Sequence, residues 1–211
     1  QKALRQDPRL LLRVVGISNS RRMAFREQGL DLDRWQALLE AGRPADLSEF
    51  HREVGRMNLR NAIFVDNTAS GEVADWYGRY LQASIAVVTC NKIACSSTYQ
   101  AYTDLKRQSR SYGAPFLFET NVGAGLPIID TLKNLVISGD RIRKIQAVLS
   151  GSLNFIFNHY EGKTAFADIV REAQKQGFTE PDPRIDLSGV DVMRKILILA
   201  RESGYALELE E

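Results

Sequence analysis

The sequence predicts an α/β protein: an incomplete parallel sheet covered by helices, followed by a smaller α+β region. Three observations carry this. Short apolar, β-branched runs alternate with helical runs from Leu10 to Thr120. The segment after each apolar run is polar or glycine-rich. Beyond Gly125 the pattern changes to amphipathic helices around one alternating stretch. Strand–helix–strand alternation at this spacing implies right-handed crossovers and a parallel sheet.

The run "LLLRVVGI" (Leu10–Ile17) reads as a first buried strand. The runs "DLDRWQALLEAG" and "DLSEFHREVGRM" read as helices, each opened by an aspartate able to cap. "AIFVDN" (Ala62–Asn67) is a strand leading into a helix over "TASGEVADWYGRYLQ", capped by Thr68 or Ser70. "IAVVT" (Ile85–Thr89), a helix over Thr98–Ser109 and the strand "PFLFET" (Pro115–Thr120) follow. Ligands of such Rossmann-like sheets bind at the carboxyl ends of the strands. Here those ends carry Asn19–Arg22, Asn67–Ser70, Thr89–Lys92 and Glu119–Gly125, a polar set suited to a nucleotide.

The pattern places a domain boundary near Asn121, with 1–120 nucleotide-binding and 121–211 a substrate and dimerisation region. "LPIIDTLKNLVISG" is an amphipathic helix with Pro127 in its first turn. "RIRKIQAVLS" alternates like an exposed strand, and "GSLNFIFNHY" turns helical. "TAFADIVREAQKQG" is a helix closed by Gly177, and a last helix runs from Ser188 to about Ser203.

Composition narrows the function classes. The net charge is +2 with acids and bases mixed along the chain, and no basic patch is interleaved with aromatics. That argues against nucleic acid as a partner. No apolar run approaches the roughly 18 residues of a membrane span. "QKALRQDPR" has no apolar signal core. Cys90 and Cys95 are too few for a disulfide framework or zinc site and read as reduced thiols. The expected compartment is the cytoplasm, or a plastid for a plant parent. His51 and His159 attract no role, and Trp35 and Trp76 read as packing residues.

The chemistry concentrates in "TEPDPRIDLSGVDVMRK" (Thr179–Lys195), which holds Glu180, Asp182, Asp186 and Asp191. Pro181 and Pro183 are expected to exclude a helix there and hold the chain extended. Asp191 and Lys195 then lie four apart on one helix face. That face leads into the apolar "ILILA", so this lysine is expected to be partly buried, facing carboxylates, as a candidate proton donor.

Ala173, Gly177, Asp182, Pro183, Asp186, Gly189, Asp191 and Lys195, at this spacing, resemble the signature of the homoserine dehydrogenases. "ETNVGAGLPII", "TCNKIA" and "LSGSLNFIF" are similar to that family as well, and to the dehydrogenase half of its bifunctional aspartate kinase members. The resemblance covers Leu10 to the end. It implies an NAD(P)H-dependent oxidoreductase that interconverts aspartate 4-semialdehyde and homoserine, on the route to threonine and methionine. It makes Lys195 the proton donor or electrophile on the carbonyl oxygen and Asp191 the group that orients substrate, with Lys92 a second lysine beside nicotinamide and substrate. Glu180 and Asp186 would take the substrate ammonium, and Thr68 and Gly177 would approach the cofactor. Glu119 with the carbonyls of Val122, Ala124 and Leu126 would hold a monovalent cation, sodium. At the strand end "SNSRR", Asn19, Arg21 and Arg22 without an acid favour NADP over NAD.

The chain departs from the family in lacking the first strand and its G-x-G-x-x-G turn, which cradles the pyrophosphate. "QKALRQ" reads as the tail of the helix after that turn. The expectation is a fragment of a longer, homo-oligomeric enzyme that also carries an aspartate kinase domain. The alternative is a catalytically inactive structural or oligomerisation arm of the bifunctional protein.

Overall fold

The computed structural model describes residues 11–209. The helix-tail reading of "QKALRQ", and Leu10 of the expected first strand, lie outside the described residues. The chain forms two compact units that divide between Arg60 and Asn61.

The first unit departs from the expected parallel sheet. Its strands β1 (Gly16–Ser18), β2 (Arg22–Phe25) and β3 (Arg43–Pro44) form an antiparallel sheet in the order β1-β2-β3. Strand pattern alone cannot separate the two outcomes; the turn decides. Asn19 Oδ1 accepts from the backbone N–H of Arg21 and of Arg22, each at 2.8 Å, closing a hairpin in which Gly16 faces Phe25. Gly16 is required, because a Cβ there would lie 2.5 Å from the Phe25 ring. Helix α1 (Trp35–Glu40) buries Leu39, whereas Trp35, expected to pack, is half exposed. Helix α2 (Leu47–Met57) starts at the expected aspartate, with Asp46 Oδ1 accepting from Glu49 N at 2.7 Å.

The second unit holds the parallel sheet. β4 (Ile63–Asp66) pairs with β5 (Ala86–Thr89), and β5 with β6 (Phe116–Leu117). The register sets Asp66 opposite Thr89, so both polar residues end their strands side by side. The helix expected after β4 is two: α3 (Gly71–Ala74), capped by Ser70, and α4 (Tyr77–Gln82). The break falls where the Tyr77 hydroxyl is pinned to Asp66 at 2.5 Å. Val87, Tyr77 and Leu81 are fully buried, and burying one such side chain contributes about 1.5–3 kcal/mol. Helix α5 (Tyr99–Ser111) follows, capped by Thr98.

Beyond β6 lie α6 (Ile129–Ile137), α7 (Gly151–His159), α8 (Phe166–Lys175), α9 (Pro183–Leu187) and α10 (Val190–Glu202). Three expectations are corrected here. The stretch 141–150 forms no strand, for an alternating pattern needs a partner backbone and no paired neighbour exists among the described residues. Pro183 opens α9 instead of forbidding a helix. Its missing N–H is harmless at the first helical position, and Asp182 Oδ1 caps by accepting from Arg184 N at 3.1 Å. Finally, α6 starts at Ile129, past Pro127, and α10 at Val190, past Ser188. Left-handed Gly189 (φ 71°) separates α9 from α10, and left-handed Gly177 (φ 76°) closes α8 as expected. Among the described residues no helix is long and apolar enough to cross a membrane.

Candidate active site

The four carboxylates of Thr179–Lys195 separate into four roles. Asp182 is the α9 cap, and bidentate hydrogen bonds from its neighbour Arg184 hold its carboxyl below the ordinary carboxylate range. Asp186 is a clamp: Oδ1 accepts from Ser152 Oγ at 2.7 Å and Oδ2 from Glu180 N at 2.9 Å. Glu180, held through its backbone by that clamp, presents an exposed side chain. Asp191, in the first turn of α10, stands between two lysines.

That last arrangement is the centre of the site. Lys195 Nζ lies 2.7 Å from Asp191 Oδ2, one helical turn away. Lys92 Nζ, from the loop after β5, lies 3.2 Å from Asp191 Oδ1. Lys195 also donates to the Leu149 carbonyl at 2.7 Å. The lysine side chains are 19% and 24% exposed, for Lys195 and Lys92, while that of Asp191 is 54% exposed. Burial, the largest single influence on Asp191, opposes its ionisation. The hydrogen bonds and charges of Lys195 and Lys92 together outweigh burial and hold the carboxyl below its ordinary range. An ammonium has three donors. Lys195 uses two, on Asp191 and Leu149, which leaves one N–H.

Beneath Lys92 lies a buried polar network that sequence reasoning missed. Asp66, 1% exposed, accepts from Thr68 N at 2.7 Å, Tyr77 Oη at 2.5 Å and Asn91 Nδ2 at 3.1 Å. Burial and this hydrogen bond to Asp66 push the Tyr77 hydroxyl far above its usual pKa, so it remains a donor. Thr89 Oγ1 lies 2.8 Å from Tyr77 Oη and accepts from Asn91 N at 2.8 Å. The Asn121 amide, turned to suit the carbonyls around it, donates to Thr89 and Cys90 at 3.1 and 3.2 Å. The available signal was positional, since "VDNTAS" and "VTCNK" end neighbouring parallel strands. Ser152 and the Leu149 carbonyl were missed too; both flank the start of α7 in "LSGSLNFIF".

The other expected residues fall as follows. Thr68 is exposed at the carboxyl end of β4. Asn19 is the hairpin-turn residue of the first unit, and Arg21 beside it is exposed. Glu119 accepts from Ile129 N and Asp130 N, both at 2.8 Å, so its charge sits on the N-terminus of α6. In the intervening loop, Gly123 and Ala124 are left-handed (φ 82° and 52°), and the Leu126 carbonyl accepts from Ile128 N at 2.9 Å. Val122 is fully buried.

Comparison with known proteins gives the family. Residues 127–211 match the family model described as homoserine dehydrogenase, and residues 1–119 match that of the homoserine dehydrogenase NAD binding domain. The chain is 44% identical over 209 residues to the chloroplastic bifunctional aspartokinase/homoserine dehydrogenase 1 of Arabidopsis thaliana, covering 98% of the chain and 23% of that protein. It is 40% identical over 186 residues to homoserine dehydrogenase of Schizosaccharomyces pombe, covering 86% of the chain and 50% of that protein. Among solved structures, a hyperthermophilic archaeal homoserine dehydrogenase in complex with NADPH superposes with a TM-score of 0.77 at 26% identity, covering 96% of this chain and 64% of that one. The chain thus spans about a quarter of the length of the bifunctional relatives it matches. With both of its halves matched, the chain belongs to the homoserine dehydrogenase family.

Proposed function

We propose that this chain supplies the catalytic residues for interconversion of aspartate 4-semialdehyde and homoserine with NAD(P)H. The observation that carries the reading is the single carboxylate of Asp191 gripped by Lys195 and Lys92. When bound, a reduced nicotinamide would be the source of the hydride for the aldehyde carbon. The remaining N–H of Lys195 donates to the aldehyde oxygen and gives up its proton as negative charge develops there. Asp191 holds both ammonium groups at the oxygen, and Lys92 adds a second positive charge. The exposed Glu180 carboxylate takes the substrate ammonium. Asp186 joins it as a proposed ligand, since each of its oxygens keeps a lone pair beyond the clamp.

Cofactor contacts are proposed at Thr68, Lys92 and Gly177 of the second unit and, from the sequence pattern alone, at Asn19 and Arg21 of the first. Polar groups gathered at the carboxyl ends of β4 and β5 suit a dinucleotide. Exposed Arg21 and Arg22, with no acid beside them, support NADP over NAD. A sodium ion at Glu119, Val122, Ala124 and Leu126 is a weaker proposal. It would share Glu119 with two N–H groups of α6, and the Leu126 carbonyl already has a donor. An aspartokinase domain in the same polypeptide, and a plastid or cytoplasmic setting, are proposals supported by the names of the bifunctional relatives. Homo-oligomerisation and a substrate domain starting near residue 121 are proposals resting on the sequence pattern.

The test is NADPH-dependent reduction of aspartate semialdehyde by the complete reading frame containing this chain, beside Lys195→Ala. Activity that falls about 100-fold or more in the variant supports both reaction and role. No activity in the complete protein sinks the reading and favours a structural arm. The ratio of kcat/KM for NADPH and NADH, before and after Arg21→Ala, decides the cofactor preference.

A further inference from the structure

We propose that Asn91 is the positioning residue of Lys92, anchored on the buried carboxylate of Asp66. This deepens the reading above and rests on it for the role of Lys92, though not for the geometry. Asn91 is 2% exposed, and its polar groups are engaged. Nδ2 donates to Asp66 Oδ2 at 3.1 Å and to the Ser70 carbonyl at 2.9 Å. Oδ1 accepts from Ile93 N at 3.0 Å, and its backbone N–H donates to Thr89 Oγ1 at 2.8 Å. The residues on both sides of Lys92 are therefore tied down from below by one side chain. From this tied stretch Lys92 extends to Asp191, 3.2 Å from its Oδ1.

The anchor serves a second loop. Asp66 Oδ1 accepts from Thr68 N, so the loop after β4 and the loop after β5 close on the same carboxylate. Buried acceptors filled this way rigidify, because a buried donor left unmet loses its hydrogen bond without regaining one to water. One brace thus fixes the spacing between Thr68 and Lys92, which the reading above places against cofactor and substrate.

Asn91→Ala in the complete protein removes the brace without touching Lys92. The readouts are the acylation rate of Lys92 by acetic anhydride, mapped by mass spectrometry relative to Lys106, and the separation of kcat from KM. Leu81→Ala, a core truncation in α4 that removes no hydrogen bond of the Asp66–Asn91 brace, is the control for lost stability. Asn91→Ser is the milder variant should Asn91→Ala fail to fold. Release of Lys92 from its pair with Asp191 is expected to raise its relative acylation about fivefold, the equivalent of one ion pair. In the same variant kcat is expected to fall about tenfold or more, the scale of a misplaced catalytic group, with cofactor KM changing far less. Leu81→Ala should lower the melting temperature and leave relative Lys92 acylation within about twofold, because every hydrogen bond of the Asn91 side chain stays in place. Unchanged Lys92 acylation in the Asn91 variants, or an equal rise in Leu81→Ala, overturns the proposal. If the complete protein lacks dehydrogenase activity, the functional reading falls, while the acylation contrast still decides the role of Asn91.

Discussion

The two ends of α10 carry ion pairs of the same chemistry in opposite surroundings. At its C-terminal end the side chains of Arg201 and Glu202 are 0% and 2% exposed. Glu202 accepts from Lys106 Nζ at 2.7 and 2.9 Å and from the Tyr102 hydroxyl. Burial, then the charge of Glu202, pushes Tyr102 far above its usual pKa, so it remains a donor. Arg201 donates to the carbonyls of Cys95 and Leu207 and to Glu208. At the N-terminal end Asp191 is more than half exposed, and Lys195 keeps a donor in hand. A saturated, buried cluster has nothing left to offer a ligand and serves the fold. A half-open one contributes little to stability and stays in contact with water.

The largest expected effect tests the closed end. Glu202→Ala leaves the Lys106 ammonium and the Tyr102 hydroxyl without their buried acceptor, and should lose about 3–5 kcal/mol of stability in urea unfolding. A loss below about 1 kcal/mol, the level of a surface pair, would erase the contrast between the two ends. Lys195→Ala tests the open end in the reverse sense. Activity should fall about 100-fold or more, equivalent to roughly 2.7 kcal/mol of barrier, while unfolding shifts by about 1 kcal/mol or less. A stability loss matching that of Glu202→Ala would make Lys195 a structural residue.

The two ends also differ in how far the sequence revealed them. Asp191 and Lys195 were legible because a helical spacing of four and the surrounding prolines and glycines mark a local pattern. Lys92 became legible only through a resemblance, since a lone lysine after a strand has no local signature. Its contact with Asp191 spans 99 positions, a juxtaposition that the parallel register and the docking of α10 create. Arg201 and Glu202 drew no reading from the sequence, and the groups they meet, the Cys95 carbonyl and Tyr102 of α5, lie about 100 residues away. Strand existence after Ala62 was clear from apolar runs. The first strand was mistaken because Leu10–Ile17 is apolar enough for either sheet, and the Asn19 turn chose the hairpin.

A third charged contact lies between these extremes. Glu119 is exposed to an intermediate degree and accepts from two backbone N–H groups at the start of α6. Glu119→Ala should destabilise the protein by about 1 kcal/mol, the scale of a lost helix cap. Glu119→Gln keeps one acceptor and should lose less. If sodium occupies the adjoining loop, replacing sodium with choline should lower the melting temperature of the unmodified protein and leave that of Glu119→Ala unmoved. An equal response in both proteins removes Glu119 from any cation site.

The smallest effect is the most direct reading of the open end. Burial alone would raise the pKa of Asp191, and the two lysines reverse that. A carboxyl whose folded pKa lies below its unfolded value, near 3.9, adds stability above that pH and loses it as pH falls through the folded value. The carboxyl carbon of Asp191, followed by NMR, should therefore titrate below ordinary aspartates. Lys195→Met should move its midpoint upward, and Lys92→Met should do so by less, since Lys195 approaches to 2.7 Å and Lys92 to 3.2 Å. Added salt should shrink both differences, because the carboxylate is open to solvent. The associated stability change stays within about 1 kcal/mol, as for other half-exposed pairs. An Asp191 that titrates above the ordinary range would mean that burial wins. The lysines would then not be held at the carboxylate, and the open end of α10 would lose the arrangement on which its catalytic reading stands.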